Sequence, residues 1–382
     1  MRQALRTYWP VAVLAAWLLF IVALTIQPYA WSPSALFHLD ETLAEPHPVP
    51  EDFVVLQMPG YDGAQYYQIA RNMPLVFNPS RWTELSAKPP LSYAYQRFLL
   101  PVTAFVVSFG QEPLLPYAFL AINILSLLGA CVLLLRAGIK PLYALALGFS
   151  PAAAVALHFS LAEPLTILLV TVFLIRYVKK ASIGWADVLL LSLATVTREV
   201  NIFLVCLLLV WSLWKGRWRD AILLLFPLLS FAALHALIYG MFHELPFLTS
   251  AAKRDLTGGA ILKLLTGGRG YTLYSFSAIA LFLGFVLPSS LYVAADVIRK
   301  RRIDFLSLGA LAFLGLMWTM PDEIWGAITS IGRVITPAYP LVLLFLARKE
   351  TWIARGIAVT ILLVGAATSV GLAIKMHPFL LA

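Results

Sequence analysis

The chain has 382 residues, 61% of them hydrophobic and 12% charged, and its mean hydropathy is +0.85, a balance that excludes a soluble globular protein and indicates a polytopic helical membrane protein. The 28 Lys and Arg against 19 Asp and Glu give a formal charge of +9, but the excess sits in short clusters between apolar runs, which is a topology signal rather than a nucleic-acid groove. The two cysteines, Cys131 and Cys206, fall inside apolar runs, so no disulfide framework is expected and both read as core thiols.

Arg2 and Arg6 precede an apolar run from about Pro10 to Ile26. It is too long for a signal-peptide core and lacks a small-residue cleavage pattern, which predicts a retained first transmembrane helix. The Pro-rich segment from Pro28 to Pro116 is too irregular for an independent domain and predicts short helices lying on the membrane as a cover over a site. Further spans are expected near 117–135, 141–158, 162–178, 185–198, 200–214, 220–240, 273–297, 304–320, 328–346 and 354–374. With the first they make about eleven transmembrane helices in a single all-α domain over residues 1–382. The basic clusters Arg136/Lys140, Arg176/Lys179/Lys180, Lys215/Arg217/Arg219, Arg299 to Arg302 and Arg348/Lys349/Arg355 fall on the side of the N-terminus only if Phe98 to Phe109 does not cross. That stretch therefore reads as an interfacial or re-entrant helix, and the basic side as the cytoplasm. The outer side receives 28–116, the loop 241–271 and the short turns near Glu163, Arg198 and Pro321. The runs 185–198 and 200–214 are short for a full crossing, so their outer ends should leave a recess suited to a lipid-linked substrate. Gly258-Gly259 and Gly267-Gly268, with Lys253, Arg254, Lys263 and Arg269 around them, could cradle a pyrophosphate but read rather as a flexible loop with a short interfacial helix.

The chemistry is expected in Tyr61-Asp62-Gly63-Ala64-Gln65-Tyr66-Tyr67-Gln68-Ile69-Ala70-Arg71-Asn72-Met73, a polar and aromatic island in an apolar chain. Asp62-Gly63 is a turn signal before a helical stretch, with Gln65 spaced as in a capping box, so Asp62 is either an N-cap or a carboxylate that faces a cavity with Tyr66 and can take a proton from a bound hydroxyl. Near lipid an ionisable residue needs a partner or a purpose. Glu163, before Pro164, is either a helix cap or an acid that orients an acceptor hydroxyl or a basic side chain. Arg198 and Glu199 join two short apolar runs; they are satisfied by backbone and headgroups, or Arg198 grips a phosphate with its planar fork. Lys88 is stiffened by Pro89-Pro90 and followed by Tyr93, Tyr95 and Arg97, a cationic and aromatic group suited to a lipid phosphate or to snorkelling. Arg333, alone early in its apolar run, should face an anion or an acid. No dinucleotide fingerprint or Walker A loop is present, and the six histidines lack metal-ligand spacing, so neither a nucleotide-binding domain nor a metal ligand set is expected. His38-Leu39-Asp40-Glu41 and His243-Glu244 read as surface groups rather than a cation site.

These motifs resemble the GT-C class of integral-membrane glycosyltransferases, in particular its aminoarabinose and protein O-mannosyl transferases. Asp62, Tyr66, Ile69, Ala70, Arg71 and Met73 match the pattern of their first outer loop, Lys88-Pro89-Pro90-Leu91 matches the Lys-Pro-Pro-Leu that follows, and Thr197-Arg198-Glu199 matches a turn frequent among them. The match covers about the first half of the chain. Gly63 departs from it, because those proteins usually carry a second acid there; Asp-Gly-x-x-Tyr-Tyr is similar to a smaller bacterial branch. The resemblance implies transfer of a sugar from a polyprenyl-phosphate donor to an envelope glycan, lipid or protein acceptor, with inversion and with Asp62 as base. It places the chain in the bacterial cytoplasmic (inner) membrane with its site facing outward and with no cofactor, the metal dependence being left open by Gly63. The polar groups Tyr66, Lys88, Arg97, Glu163, Arg198, Glu199 and Arg333 are the residues expected to bind substrate. The alternatives are a lipid-linked sugar flippase and a non-catalytic subunit of a polysaccharide assembly. Because Asn keeps a capping oxygen but takes no proton near neutral pH, Asp62→Asn is expected to fold normally and to lose transfer.

Overall fold

In a computed structural model of the chain, the structure describes residues 2–41, 49–56, 60–86, 92–246, 259–266, 273–325, 328–334 and 336–376. These are overwhelmingly helical, and among them a single pair of two-residue strands, Leu39–Asp40 beside Val55–Leu56, runs parallel. Lys88 lies outside the described residues, as do Lys253, Arg254, Gly258 and the Gly267-Gly268 pair; of the second expected loop, Gly259–Leu265 is a short helix.

Every expected span is helical, but fewer than the expected eleven or so are long and apolar enough to cross. Among the described residues six qualify: Thr7–Tyr29, Glu112–Arg136, Pro141–His158, Trp218–Phe242, Phe276–Lys300 and Trp352–Lys375. A seventh forms if Ile328–Val334 and Ala338–Ala347, bent by 66°, count as one span. Trp185–Thr197, Asn201–Trp214 and Phe305–Trp318 are apolar but shorter. The Glu163–Lys180 helix is 18 residues long yet carries Glu163, Arg176, Lys179 and Lys180, which breaks the uniform apolarity that hydrocarbon demands. The other expected spans are present as helices that are shorter or carry charges, so length and apolarity support six or seven crossings among the described residues. Leu99–Val107 has 9 residues, and at 1.5 Å per residue it is about 14 Å long, under half of the hydrocarbon thickness.

Two apolar clusters organise the chain. The larger runs through the bundle from Leu14 to Val364. The smaller packs Phe37, Tyr66, Tyr67, Tyr95, Phe119 and Phe159 among the short helices between Asp62 and Val107. Glycine permits the closest backbone approach: a Cβ on Gly365 would lie 1.5 Å from the Phe149 carbonyl oxygen, at the break where Pro141–His158 divides into two helices. Small residues at such crossings let helix backbones touch.

The two ends of the bundle differ in chemistry. The Glu163–Lys180, Asn201–Trp214 and Ala338–Ala347 helices each run from the neighbourhood of Glu163, Glu199 or Arg333 to a basic cluster. At that basic end Trp185, Trp214, Trp218 and Trp352 are exposed, an aromatic belt of the kind that marks a membrane interface. Arg176 pairs with Asp187 at 2.6 Å and Lys349 with Asp296 at 2.6 Å. Cys206, read as a core thiol, is instead exposed on the side of its helix.

Candidate functional site

Tyr61 is extended, with φ −126° and ψ 168°, and the helix begins at Asp62 and runs to Arg71 with no side-chain capping bond. The capping reading of Asp62, and with it the Gln65 box, is therefore replaced. Asp62 is the first helical residue, where a carboxylate still meets the positive end of the helix dipole, but its Oδ2 goes to two arginines. Gly63 is fixed by contact: a Cβ there would lie 2.0 Å from the Phe159 carbonyl oxygen, so no side chain fits beside Asp62 without moving backbone.

Asp62 Oδ2 accepts from Arg97 Nη1 at 2.5 Å and from Arg333 Nη1 at 2.8 Å. Oδ1 makes no hydrogen bond to the described residues, and the side chain is 21% exposed. One oxygen is thus anchored twice and the other is open. Arg97 also donates from Nη1 to the Tyr66 hydroxyl at 2.8 Å, from Nη2 to the Tyr93 hydroxyl at 2.7 Å, and from Nη2 and Nε to both oxygens of Glu199 at 3.1 and 3.2 Å. A guanidinium has five N–H donors, and here every one has a protein partner. Sequence reading grouped Arg97 with the substrate-binding residues; with no donor to spare, it is the keystone that joins Asp62, Tyr66 and Glu199.

Arg198 and Arg333 are different. Arg198 donates Nη1 to Glu163 Oε1 and reaches the Arg333 carbonyl at 3.5 Å. Arg333 lies 4.8 Å from the ring centre of Tyr61, which stacks on Phe159 at 4.1 Å. The Nε atoms of both arginines and Oε2 of Glu163 are buried with no hydrogen-bond partner. Buried donors left open in this way are rare and suit an anionic ligand. Three acids, Asp62, Glu163 and Glu199, thereby meet three arginines, 97, 198 and 333, in one neutral cluster. It brings together Asp62, Tyr66, Arg97, Glu163, Arg198, Glu199 and Arg333, every described member of the expected set.

Burial alone would raise the Asp62 carboxyl, but Arg333 and then Arg97 outweigh it and hold the group well below the usual carboxylate range. Burial works against Glu199 in the same way and is overcome by Arg97 and Arg198, leaving it at about 2. Both are ionised at any physiological pH. Sequence reasoning missed Tyr61 as the ring beneath Arg333, for which adjacency to Asp62 was a signal, and Phe159, for which there was none. His38, expected at the surface, is buried, with Nε2 3.1 Å from Met376 Sδ. Its neighbour Asp40 accepts from the Gly60 amide at 2.9 Å. No group of three or more His, Cys, Asp or Glu side chains suited to a metal ion occurs among the described residues.

Comparison with known proteins returns nothing. No family model matches the chain, nor does any curated protein or solved structure. The functional reading therefore rests on this geometry and on the sequence motifs.

Proposed function

We propose that the chain is a GT-C-type membrane glycosyltransferase that takes a sugar from a polyprenyl-phosphate donor to an envelope glycan, lipid or protein acceptor on the outer side of the bacterial cytoplasmic membrane, with the basic clusters facing the cytoplasm. The observation that carries this reading is the division of labour within one cluster: an open carboxylate oxygen on Asp62 beside two buried guanidinium Nε donors on Arg198 and Arg333. The first suits an acceptor hydroxyl and the others suit a phosphate. In the reaction the acceptor oxygen bonds to the anomeric carbon and passes its proton to Asp62 Oδ1. The bond from that carbon to phosphate oxygen breaks, and the lipid phosphate leaves with the electron pair, its charge held by Arg333 and Arg198. The Lys88-Pro89-Pro90 motif offers Lys88 as a further candidate cation for that phosphate.

A carboxylate between two arginines is a weak base, so this role needs a trigger. The donor phosphate supplies one: by taking Arg333 it withdraws one of the two cations that depress Asp62 and lets its basicity rise toward the ordinary range. Donor binding then precedes base action. Glu199 and Arg97 remain in place to hold the carboxylate's position.

The test uses purified protein in lipid nanodiscs with a panel of polyprenyl-phosphate sugars, the donor being followed by mass spectrometry. Per folded molecule, wild type should consume one of them, and Asp62→Asn should do so about two to four orders of magnitude more slowly, the usual reach of general-base catalysis. Equal rates for the two proteins would remove Asp62 from the chemistry. Movement of intact donor across vesicles without its consumption would support the flippase instead.

A further inference from the structure

The end of the bundle remote from Asp62 holds a cavity. It has a volume of about 360 Å³ and is lined by Lys215, Arg217, Arg302 and Arg348 with Asp304 as the one acid. That volume falls in the range of small-molecule sites. From Glu163 to Tyr177 along a single helix is about 21 Å at 1.5 Å per residue, so this cavity is separate from the carboxylate cluster. We propose that it binds a phosphate-bearing anion, at this depth the headgroup of an anionic phospholipid.

Four helix ends frame it: the C-terminal ends of Glu163–Lys180, Asn201–Trp214 and Ala338–Ala347, and the start of Phe305–Trp318. Its floor is aromatic, with Phe305 edge-on to Tyr177 at 5.0 Å and beside Trp211 at 6.3 Å. Asp304 is already committed, since Oδ1 accepts from the Ser307 amide at 2.8 Å as a helix cap and Oδ2 lies 3.7 Å from Arg348. Arg217 donates to the Ala181 carbonyl. Lys215 stands 4.8 Å over Trp211 and 5.0 Å over Trp214, and neither it nor Arg302 has a carboxylate partner among the described residues. Two cations are thus left facing a cavity whose only acid is spoken for. Three helix C-termini add partial negative charge that favours these cations without neutralising them. Exposed Trp214 and Trp218 place the cavity mouth at the level where headgroups lie. An anionic headgroup can meet the cations while its glycerol and upper chains lie on the aromatic floor.

Purified protein would be titrated with phosphatidylglycerol or phosphatidylcholine and read by native mass spectrometry, and with millimolar inorganic phosphate read by thermal shift. Phosphatidylglycerol should bind in preference to phosphatidylcholine. Lys215→Gln with Arg302→Gln should weaken it by about 30-fold, which is about 2 kcal/mol at about 1 kcal/mol per basic side chain near an anionic surface. The control, Arg136→Gln with Arg299→Gln, removes two exposed cations at the same end but outside the cavity and should change little. Stabilisation by inorganic phosphate, lost in the Lys215/Arg302 variant, would support the anion site with a soluble ligand as its source. Equal losses in both variants, or no discrimination between the lipids together with no response to phosphate, would overturn the proposal.

Discussion

Replacing Asp62 by Asn separates the geometry found from the one its local sequence suggests. Asn keeps an oxygen that can accept from Arg97 and Arg333, yet it removes the charge that balances the cluster. Arg97 retains Glu199, whereas Arg333 is left without a carboxylate among the described residues. At about 4 Å and an effective dielectric of about 20, one such charge pair is worth about 4 kcal/mol before desolvation, and breaking a buried pair typically costs about 3–5 kcal/mol. The retained amide oxygen and the 21% exposure of Asp62 bring the expected loss of stability to about 2–3 kcal/mol, against near-normal folding for a capping residue. Arg333→Gln then becomes diagnostic. Added to Asp62→Asn it removes the stranded cation, so the double variant should be more stable than Asp62→Asn alone by about 1–2 kcal/mol. Thermal unfolding of wild type, both single variants and the double variant in one detergent closes the cycle. An Asp62→Asn protein as stable as wild type, or a double variant that loses the sum of the two single losses, would refute the counterion reasoning.

Gly63→Ala should lower stability by about 1–3 kcal/mol, as forced overpacking does, because its Cβ would meet the Phe159 carbonyl oxygen at 2.0 Å. Gly315→Ala, with nothing within 4 Å of its Cβ, should be neutral or stabilising, and denaturant midpoints compare the two. Burial first, and then His158 and Lys375, lower His38 from 6.5 to about 3; the unfolded chain therefore takes up a proton that the folded one refuses, and stability should fall as pH drops from about 6.5 toward 3. In His38→Gln that part of the slope should vanish, while the decline below about pH 5 from Glu199, whose folded value is about 2, should persist. Cysteines introduced at Gln111 and Lys179 should react with an impermeant reagent from opposite sides of the membrane; labelling of Lys179 but not Gln111 from outside would reverse the topology.

The helices were legible because their signal is local: apolar runs, Pro at first turns and basic clusters at ends each act within a few residues. Span lengths were less legible, since Glu163 to Lys180 reads as apolar on average while its four charges sit at the two ends. The site was legible as a set of residues and illegible as a set of bonds. Asp62-Gly63 with Gln65 is a sound local capping pattern, yet its carboxylate goes to Arg97 and Arg333, which lie 35 and 271 residues away. Nothing in the spacing of charges along the chain encodes that choice; it follows from which helix ends the bundle brings together, and from the need of a buried guanidinium for a carboxylate. Gly63 makes the same point from the other side. Set against the transferases that the motif resembles, it is a missing acid. In the folded chain it is the one residue type that lets the helix start against the Phe159 carbonyl, and so sets Asp62 where both arginines reach it. The cluster has its second acid nonetheless: Glu199 lies across Arg97 from Asp62, delivered by a different pair of helices. A motif that compares neighbours along the chain cannot register that substitution, because the two carboxylates are neighbours only through the guanidinium between them.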